Sequence, residues 1–144
     1  ILYKLDEKEI NKEDVLELVP KTIEENIFDL IDATVNKDWG KIFELYNELL
    51  NQNEEPIKII VLLANQYRII YQTKELYKKG YTEKDIAIHL GIHPYRIKLA
   101  YQKGLLFSSN RLLKYLKDLA DLDIAIKTGK IDKNIGLELF LLQI

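Results

Sequence analysis

The sequence predicts an all-α protein, a helical bundle of about seven to eight helices. Three observations support this fold class. Apolar residues recur at spacings of three and four along nearly the whole chain. Helix caps and helix-ending glycines separate the segments, and no β-branched run alternates with polar residues. With 144 residues, 47% of them hydrophobic, the chain is long enough to bury a core without disulfides or metals.

The first two predicted helices flank Pro20. Asn11 caps a short helix that runs to Val19, and Pro20 ends it because proline cannot continue a helix. Thr22 and Glu25 then have the spacing of a capping box, which predicts the start of the second helix.

The next predicted helices begin at Asp38, Pro56 and Thr82. Asp38 is a good N-cap, and Pro56 suits the first turn of a long central helix because its φ is fixed and it has no N–H. Gly80 is placed to end that helix in a left-handed conformation. Thr82 and Asp85 form a second capping box before a short helix.

Three more helices complete the prediction. One begins at His93–Pro94 and runs to about Leu106, and the next begins after Ser108 or Ser109 and runs to Thr128. Asp132 caps the last helix. We expect the inward face of that helix to carry Ile135, Leu139 and Leu142, with Phe140 beside them.

Composition excludes several kinds of site. The chain has no cysteine and six glycines that stand singly, so it has neither thiolate ligands nor a glycine-rich phosphate loop. Gly91 separates the two histidines, His89 and His93, and no carboxylate motif accompanies them, so we expect no metal site. We expect no catalytic residue and no cofactor. The apolar runs are far shorter than the roughly 20 residues of a membrane span.

The charge distribution is uneven although the net charge is only −2. Residues 1–85 carry 12 basic and 18 acidic side chains, whereas residues 86–117 carry six basic side chains and no acidic one. We call these six the basic block. It indicates either a surface that faces phosphates or an acidic partner, or simply a solvated helix face. The basic block consists of Arg96, Lys98, Lys103, Arg111, Lys114 and Lys117.

Residues 82–98 have the pattern of a helix-turn-helix motif. A small residue, Ala87, stands where the two helices would cross, Gly91 lies in the turn, and Ile97 can pack back. Arg96 and Lys98 on the second helix would then meet phosphates or base edges, as in a DNA-binding regulator. The same pattern suits any tight crossing of two short helices, and a pI near 5.8 is low for a free-standing DNA-binding protein.

Several short stretches, in order and at consistent spacing, together span nearly the whole chain: residues 10–15, 25–33, 49–50, 55–57, 62–68, 89–98 and 121–129. In these stretches the chain resembles the C-terminal part of the delta subunit of bacterial DNA polymerase III, a subunit of the clamp loader, in its Gram-positive form. The chain begins with Ile1 and contains no methionine, so we also expect it to be a fragment of a longer protein.

The resemblance implies a domain organisation and a role in DNA replication. Residues 1–20 would be the tail of the helical lid domain, and residues 21–144 the collar domain. Collars hold five clamp-loader subunits in a ring, and the delta subunit opens the sliding clamp through an N-terminal domain that this chain lacks. The fragment would therefore be non-catalytic. It would anchor the clamp-opening subunit in the ring that loads the clamp onto primer–template DNA.

The resemblance also implies partners and contact residues. The partners would be the ATPase subunits and a delta-prime-like subunit, which would bind through the collar. The assembly would lie in the bacterial cytoplasm, at the nucleoid-associated replisome, and would not involve a membrane. The candidates for DNA contact are Arg96, Lys98, Lys127, Thr128 and Lys130. Some apolar stripes are wider than a core needs, and the candidates for the interface with neighbouring subunits are Leu105, Leu106, Phe107, Leu137 and Phe140.

Overall fold

The computed structural model describes residues 21–144, and within this range it contains helices and no strand. The predicted helix from Asn11 to Val19, its end at Pro20 and the predicted lid-domain tail lie outside the described residues. The seven helices are α1 (Ile23–Val35), α2 (Trp39–Asn51), α3 (Pro56–Lys78), α4 (Glu83–Leu90), α5 (Pro94–Gly104), α6 (Ser109–Lys127) and α7 (Lys133–Leu142).

The predicted helix starts are confirmed by local hydrogen bonds. At Thr82 both halves of the capping box form with Asp85, while at Thr22 the hydroxyl accepts the backbone N–H of Glu25. Pro56 occupies the first turn of α3. The other N-caps whose side chains accept backbone N–H groups are Asp38, His93, Ser108 and Asp132. These caps satisfy donors that a helix start leaves without partners.

The long helix α3 lies at the centre of the bundle, and both α5 and α6 pack along it. Helix α6 is antiparallel to α3. Ser109, at the start of α6, hydrogen-bonds Glu75 near the end of α3 at 2.8 Å, whereas Leu119 further along α6 lies with Ile60 near the start of α3. Helices α1 and α2 form a hairpin on the same core, and α7 packs on α6, α3 and α2.

The main core is apolar and aromatic. Tyr67 on α3 is fully buried, with its ring centroid 6.0 Å from that of Phe107 and 5.1 Å from that of Tyr115. A second, smaller cluster contains Ile86, Ala87 and Ile97, where α4 crosses α5. The helix crossing predicted from the spacing of Ala87, the turn glycine and Ile97 is therefore formed.

The predicted inward face of α7 is wrong. Ile135, Leu139 and Leu142 are exposed, whereas the core contacts come from the opposite set of apolar residues. The helix is apolar almost all around, so its spacing allowed two inward faces, and only packing chooses between them. Gly136 lies close to α6, since a Cβ placed there would be 2.6 Å from Cδ1 of Leu122, whose side chain would have to move. The buried residues at this end of the chain are Gly136, Leu137, Phe140, Leu141 and Ile144.

Two helices end slightly before their predicted ends. Helix α5 ends at Gly104 and not at about Leu106, and α6 ends at Lys127 and not at Thr128. Gly91 ends α4 in the left-handed region, with φ of 68°, which glycine adopts without the strain of a Cβ.

No helix among residues 21–144 has both the length and the apolar character that a membrane crossing requires.

Candidate subunit and nucleic-acid interfaces

Arg111, a member of the basic block, joins α6 to the end of α1. Its Nη2 donates to the carbonyl of Thr34 at 2.6 Å, its Nη1 donates to that of Val35 at 3.3 Å, and its Nε donates to the Tyr115 hydroxyl at 2.6 Å. The guanidinium also lies over the Phe107 ring, 4.9 Å from its centroid. Because the carbonyl end of a helix carries partial negative charge, this arginine stabilises the bundle.

Lys103 is also engaged inside the fold. It forms an ion pair with Asp32 on α1, and its ammonium lies 5.1 Å from the centroid of the Phe28 ring. Burial lowers the pKa of Lys103, and the nearby carboxylate of Asp29 opposes that effect. Its charge is therefore largely used to hold α5 against α1.

Two further lysines of the basic block pair along their own helix. Lys114 lies 2.8 Å from Asp118, and Lys117 lies 2.9 Å from Asp121. Both pairs have the i,i+4 spacing of exposed helix ion pairs, which contribute only about 0.3–0.5 kcal/mol. Four of the six members are thus engaged within residues 21–144, and the block is mainly structural. The other two members are Arg96 and Lys98.

Arg96 and Lys98 are exposed on α5, but their surroundings differ. Arg96 lines a cleft of about 460 Å³ between α1, α3 and α5, which also contains the carboxylates of Glu24, Glu25 and Asp29. These carboxylates lower the positive potential that Arg96 would offer to a phosphate. Lys98 is exposed without lining that cleft, so its charge is available to a phosphate.

The second set of DNA-contact candidates lies where α6 ends. Lys127 pairs with Asp123 at 2.9 Å, and the Thr128 hydroxyl donates to the carbonyl of Ile124 at 2.8 Å. Lys130 is exposed just after Gly129, whose φ of 75° makes the turn. An exposed ion pair such as that of Lys127 is easily exchanged for a phosphate contact.

The structure does not bring the two sets of DNA-contact candidates together. Helix α5 packs on the second half of α3, where Gly104 approaches Ile70 and Lys74. The last turns of α6 lie along the first half of α3, near Ile60 and Val61. The five candidates therefore form two separate basic positions.

The residues predicted to meet neighbouring subunits divide into exposed and buried ones. Leu105 and Leu106 are 65% and 55% exposed between α5 and α6, so they remain candidates. Phe107, Leu137 and Phe140 are buried in the core of this chain. We therefore remove these three from the candidate surface, because their side chains are already covered by the chain's own helices.

Other exposed apolar residues were not among the interface candidates that the sequence suggested. They lie on α3, α4, α6 and α7 at helical spacings that also suit core positions, so periodicity alone could not separate them from the core. A signal was present in α6, where apolar residues extend around more of the helix than one core face needs. These additional exposed residues are Ile57, Val61, Ile88, Leu113, Ile124, Ile135, Leu139 and Leu142.

No group of three or more histidine, cysteine or carboxylate side chains is placed to hold a metal ion within the part of the chain that the structure describes. His93 has a structural role, since its Nδ1 accepts the backbone N–H of Tyr95 at 3.1 Å.

Comparisons with known proteins agree with the resemblance found in the sequence. Residues 24–144 match the family model described as the DNA polymerase III delta subunit, C-terminal domain. The DNA polymerase III subunit delta of Bacillus subtilis (strain 168) is 47% identical over 139 residues, which is 96% of this chain and 40% of that protein. The solved structure of the Bacillus subtilis DNA clamp loader delta protein superposes with a TM-score of 0.87, covering 93% of this chain and 40% of that one. The chain thus spans about two fifths of the length of these relatives.

Proposed function

The chain belongs to the family of C-terminal domains of DNA polymerase III delta subunits, and from this premise we propose that it is the collar region of a bacterial clamp-loader delta subunit. The observation that carries the proposal is the 47% identity to the delta subunit of Bacillus subtilis over nearly the whole chain. Its role would be non-catalytic. It anchors the clamp-opening subunit in the five-membered ring that loads the sliding clamp onto primer–template DNA.

In this proposal the chain contains parts of two domains. Residues 21–144 form the collar, and residues 1–20 are the tail of the helical lid domain. The collar meets the ATPase subunits and a delta-prime-like subunit, while the sliding clamp is met by an N-terminal domain outside this chain. Such an assembly would work in the bacterial cytoplasm, at the replisome on the nucleoid.

Exposed apolar surface supports a role in subunit assembly. Leu105 and Leu106, each more than half exposed, stand together between α5 and α6, and α7 presents Ile135, Leu139 and Leu142. Exposed apolar side chains grouped in this way are typical of a permanent interface between subunits. In contrast, the matched relatives give no support to the helix-turn-helix regulator that residues 82–98 also suggested.

The assembly role is tested by size-exclusion chromatography with light scattering. The chain is run alone and then with purified ATPase and delta-prime-like clamp-loader subunits. We expect a stable hetero-oligomer. Two unshifted peaks would contradict the proposal, and tight binding of duplex DNA by the isolated chain would favour the regulator instead.

We further propose that the two exposed basic positions approach the DNA held in the ring. The DNA-binding residues would be Arg96 and Lys98 on α5, and Lys127, Thr128 and Lys130 at the end of α6. Lys98 and Lys130 are the strongest of these. Within residues 21–144 both are exposed, form no ion pair and lie outside the acidic cleft that Arg96 lines.

This proposal is tested by the salt dependence of DNA binding by the whole assembly. Replacing Lys98 and Lys130 by glutamate should lower the slope of log affinity against log salt by about 0.9 for each phosphate that the protein no longer neutralises. Lys114→Glu is the control, because this lysine is exposed but outside both basic positions. Unchanged slopes in glutamate variants at all five positions would exclude the DNA contacts.

A further inference from the structure

An apolar face remains uncovered along the neighbouring helices α3 and α6. On α3 the residues recur at i, i+4 and i+7, and on α6 at i, i+3, i+7 and i+11, so each set forms a continuous stripe. Val61 is 53% exposed and Ile124 is 60% exposed, so this surface is not part of the core. The face, called here the α3–α6 face, consists of Ile57, Val61, Ala64, Leu113, Leu116, Ala120 and Ile124.

A groove of about 320 Å³ runs between these two helices. Val61, Ala64, Leu116 and Ala120 line it, and the small alanines leave space between the two helix backbones. When two antiparallel helices have apolar stripes and a groove between them, the side-chain ridge of a third helix can pack into that groove. The groove therefore has the shape of a helix-binding site.

The charges around the groove leave one cation without a carboxylate. Asp123 pairs with Lys127 at 2.9 Å. Arg68 is exposed, and its guanidinium donates to the side-chain oxygen of Asn65, a neutral group, with no carboxylate partner within residues 21–144. A helix seated here would gain a charge-assisted hydrogen bond if it placed a carboxylate opposite Arg68.

We propose that the groove of the α3–α6 face binds an amphipathic helix of a neighbouring clamp-loader subunit, with apolar residues at i, i+4 and i+7 and a carboxylate that contacts Arg68. This inference rests on the proposed collar function, and it identifies which surface meets a neighbour and what that neighbour must present.

The other side of α6 supports a contact with two different neighbours. Leu122 and Ala125 on α6 line a depression shared with α7. Leu122 lies two residues from Ala120, and thus about 200° around the helix from it. Helix α7 exposes Ile135, Leu139 and Leu142, with Glu138 beside them. A subunit with a groove on one flank and a ridge on the other makes head-to-tail contacts, which form a ring when the rotation between neighbours closes.

Site-specific cross-linking tests the occupant of the groove. The chain has no cysteine, so Val61→Cys and Ala120→Cys each introduce a single thiol for a photoreactive maleimide. Ile88→Cys on α4 is the matched control, since Ile88 is an exposed apolar residue away from the groove. Each variant is assembled with purified clamp-loader subunits before illumination.

We expect both groove positions to cross-link to the same helix of one neighbouring subunit, with a yield at least tenfold above that of the control. Equal yields at all three positions would overturn the proposal. A cross-link to a second copy of this chain would also overturn it, because the occupant would then be the chain itself.

Charge reversal tests the role of Arg68. Arg68→Glu should weaken binding of the neighbouring subunit about tenfold, and exchanging the facing carboxylate for lysine should restore it. Lys84→Glu, an exposed reversal on α4, should leave binding unchanged. If the unmodified chain fails to assemble, the collar function itself is wrong. If it assembles and the groove variants assemble equally well, only the groove assignment is wrong.

Discussion

Thr34 on α1 and Tyr67 on α3 share a buried hydrogen bond, with 3.0 Å between their hydroxyl oxygens. Thr34 donates its own proton to the carbonyl of Ile31 at 2.6 Å, so Tyr67 is the donor in the shared bond. Within residues 21–144 the Thr34 hydroxyl therefore has two partners, whereas the fully buried Tyr67 hydroxyl has one. Because of this difference, we expect the two residues to contribute unequally to the free energy of unfolding.

Removing the acceptor should cost more than removing the donor. Thr34→Val leaves the Tyr67 hydroxyl buried without a partner and should lower the free energy of unfolding by about 1–3 kcal/mol. Tyr67→Phe leaves Thr34 bonded to Ile31 and should cost only about 0.5–1.5 kcal/mol. Urea denaturation measures both values. The double variant should lose less than the sum, and strict additivity would contradict the shared bond.

Stability should fall at alkaline pH through buried tyrosines. Burial raises the pKa of Tyr67 well above its usual range, and burial also raises the pKa of Tyr46. In the unfolded chain a tyrosine has a pKa of about 10, so the unfolded state loses these protons first. The stabilisation is complete below that pH and is lost as the pH rises above it, by up to about 1.4 kcal/mol per pH unit for each tyrosine.

The matched measurement compares urea midpoints of the unaltered chain and of Tyr67→Phe between pH 8 and pH 11. The variant should show a shallower loss of stability above pH 10, since one of the titrating groups has been removed. The same slope in both proteins would show that Tyr67 does not contribute to the alkaline loss.

Arg111 should be the member of the basic block that matters most for stability. Arg111→Met removes two charge-assisted hydrogen bonds to the end of α1 and one to Tyr115. Hydrogen bonds to charged groups contribute about 1.5–3 kcal/mol, so we expect a loss of at least that size in thermal or urea unfolding. The matched control, Lys114→Met, breaks one exposed ion pair and should change stability by less than about 0.5 kcal/mol. Similar losses in both variants would refute the structural role of Arg111.

Two leucines of α7 test which face of that helix is buried. Leu137 is fully buried and Leu142 is 55% exposed. Leu137→Ala should therefore cost about 2–5 kcal/mol, while Leu142→Ala should change stability by less than about 0.5 kcal/mol. Unfolding monitored by circular dichroism distinguishes the two variants. A larger loss of stability for Leu142→Ala would support the inward face predicted from the sequence.

The sequence by itself determined the helical class, the helix starts and several helix ends. These features depend on residues that are close along the chain. Thr82 and Asp85 form their capping box within one turn, and Gly91 ends α4 because of its own backbone freedom. Such local signals remain readable without knowledge of the rest of the fold, and the family resemblance rested on similarly short stretches.

The tertiary structure alone decided which apolar and charged residues remain at the surface. Helix α7 offers apolar residues on nearly every side, and only packing against α6, α3 and α2 decides that Leu137 is buried and Leu139 exposed. In the sequence the basic block resembles one charged patch. In the fold, however, Arg111 donates a hydrogen bond to the carbonyl of Thr34, which lies 77 residues earlier. Partners this far apart in sequence are brought together only by the fold, because burial and pairing depend on distance in space and local periodicity reports only distance along the chain.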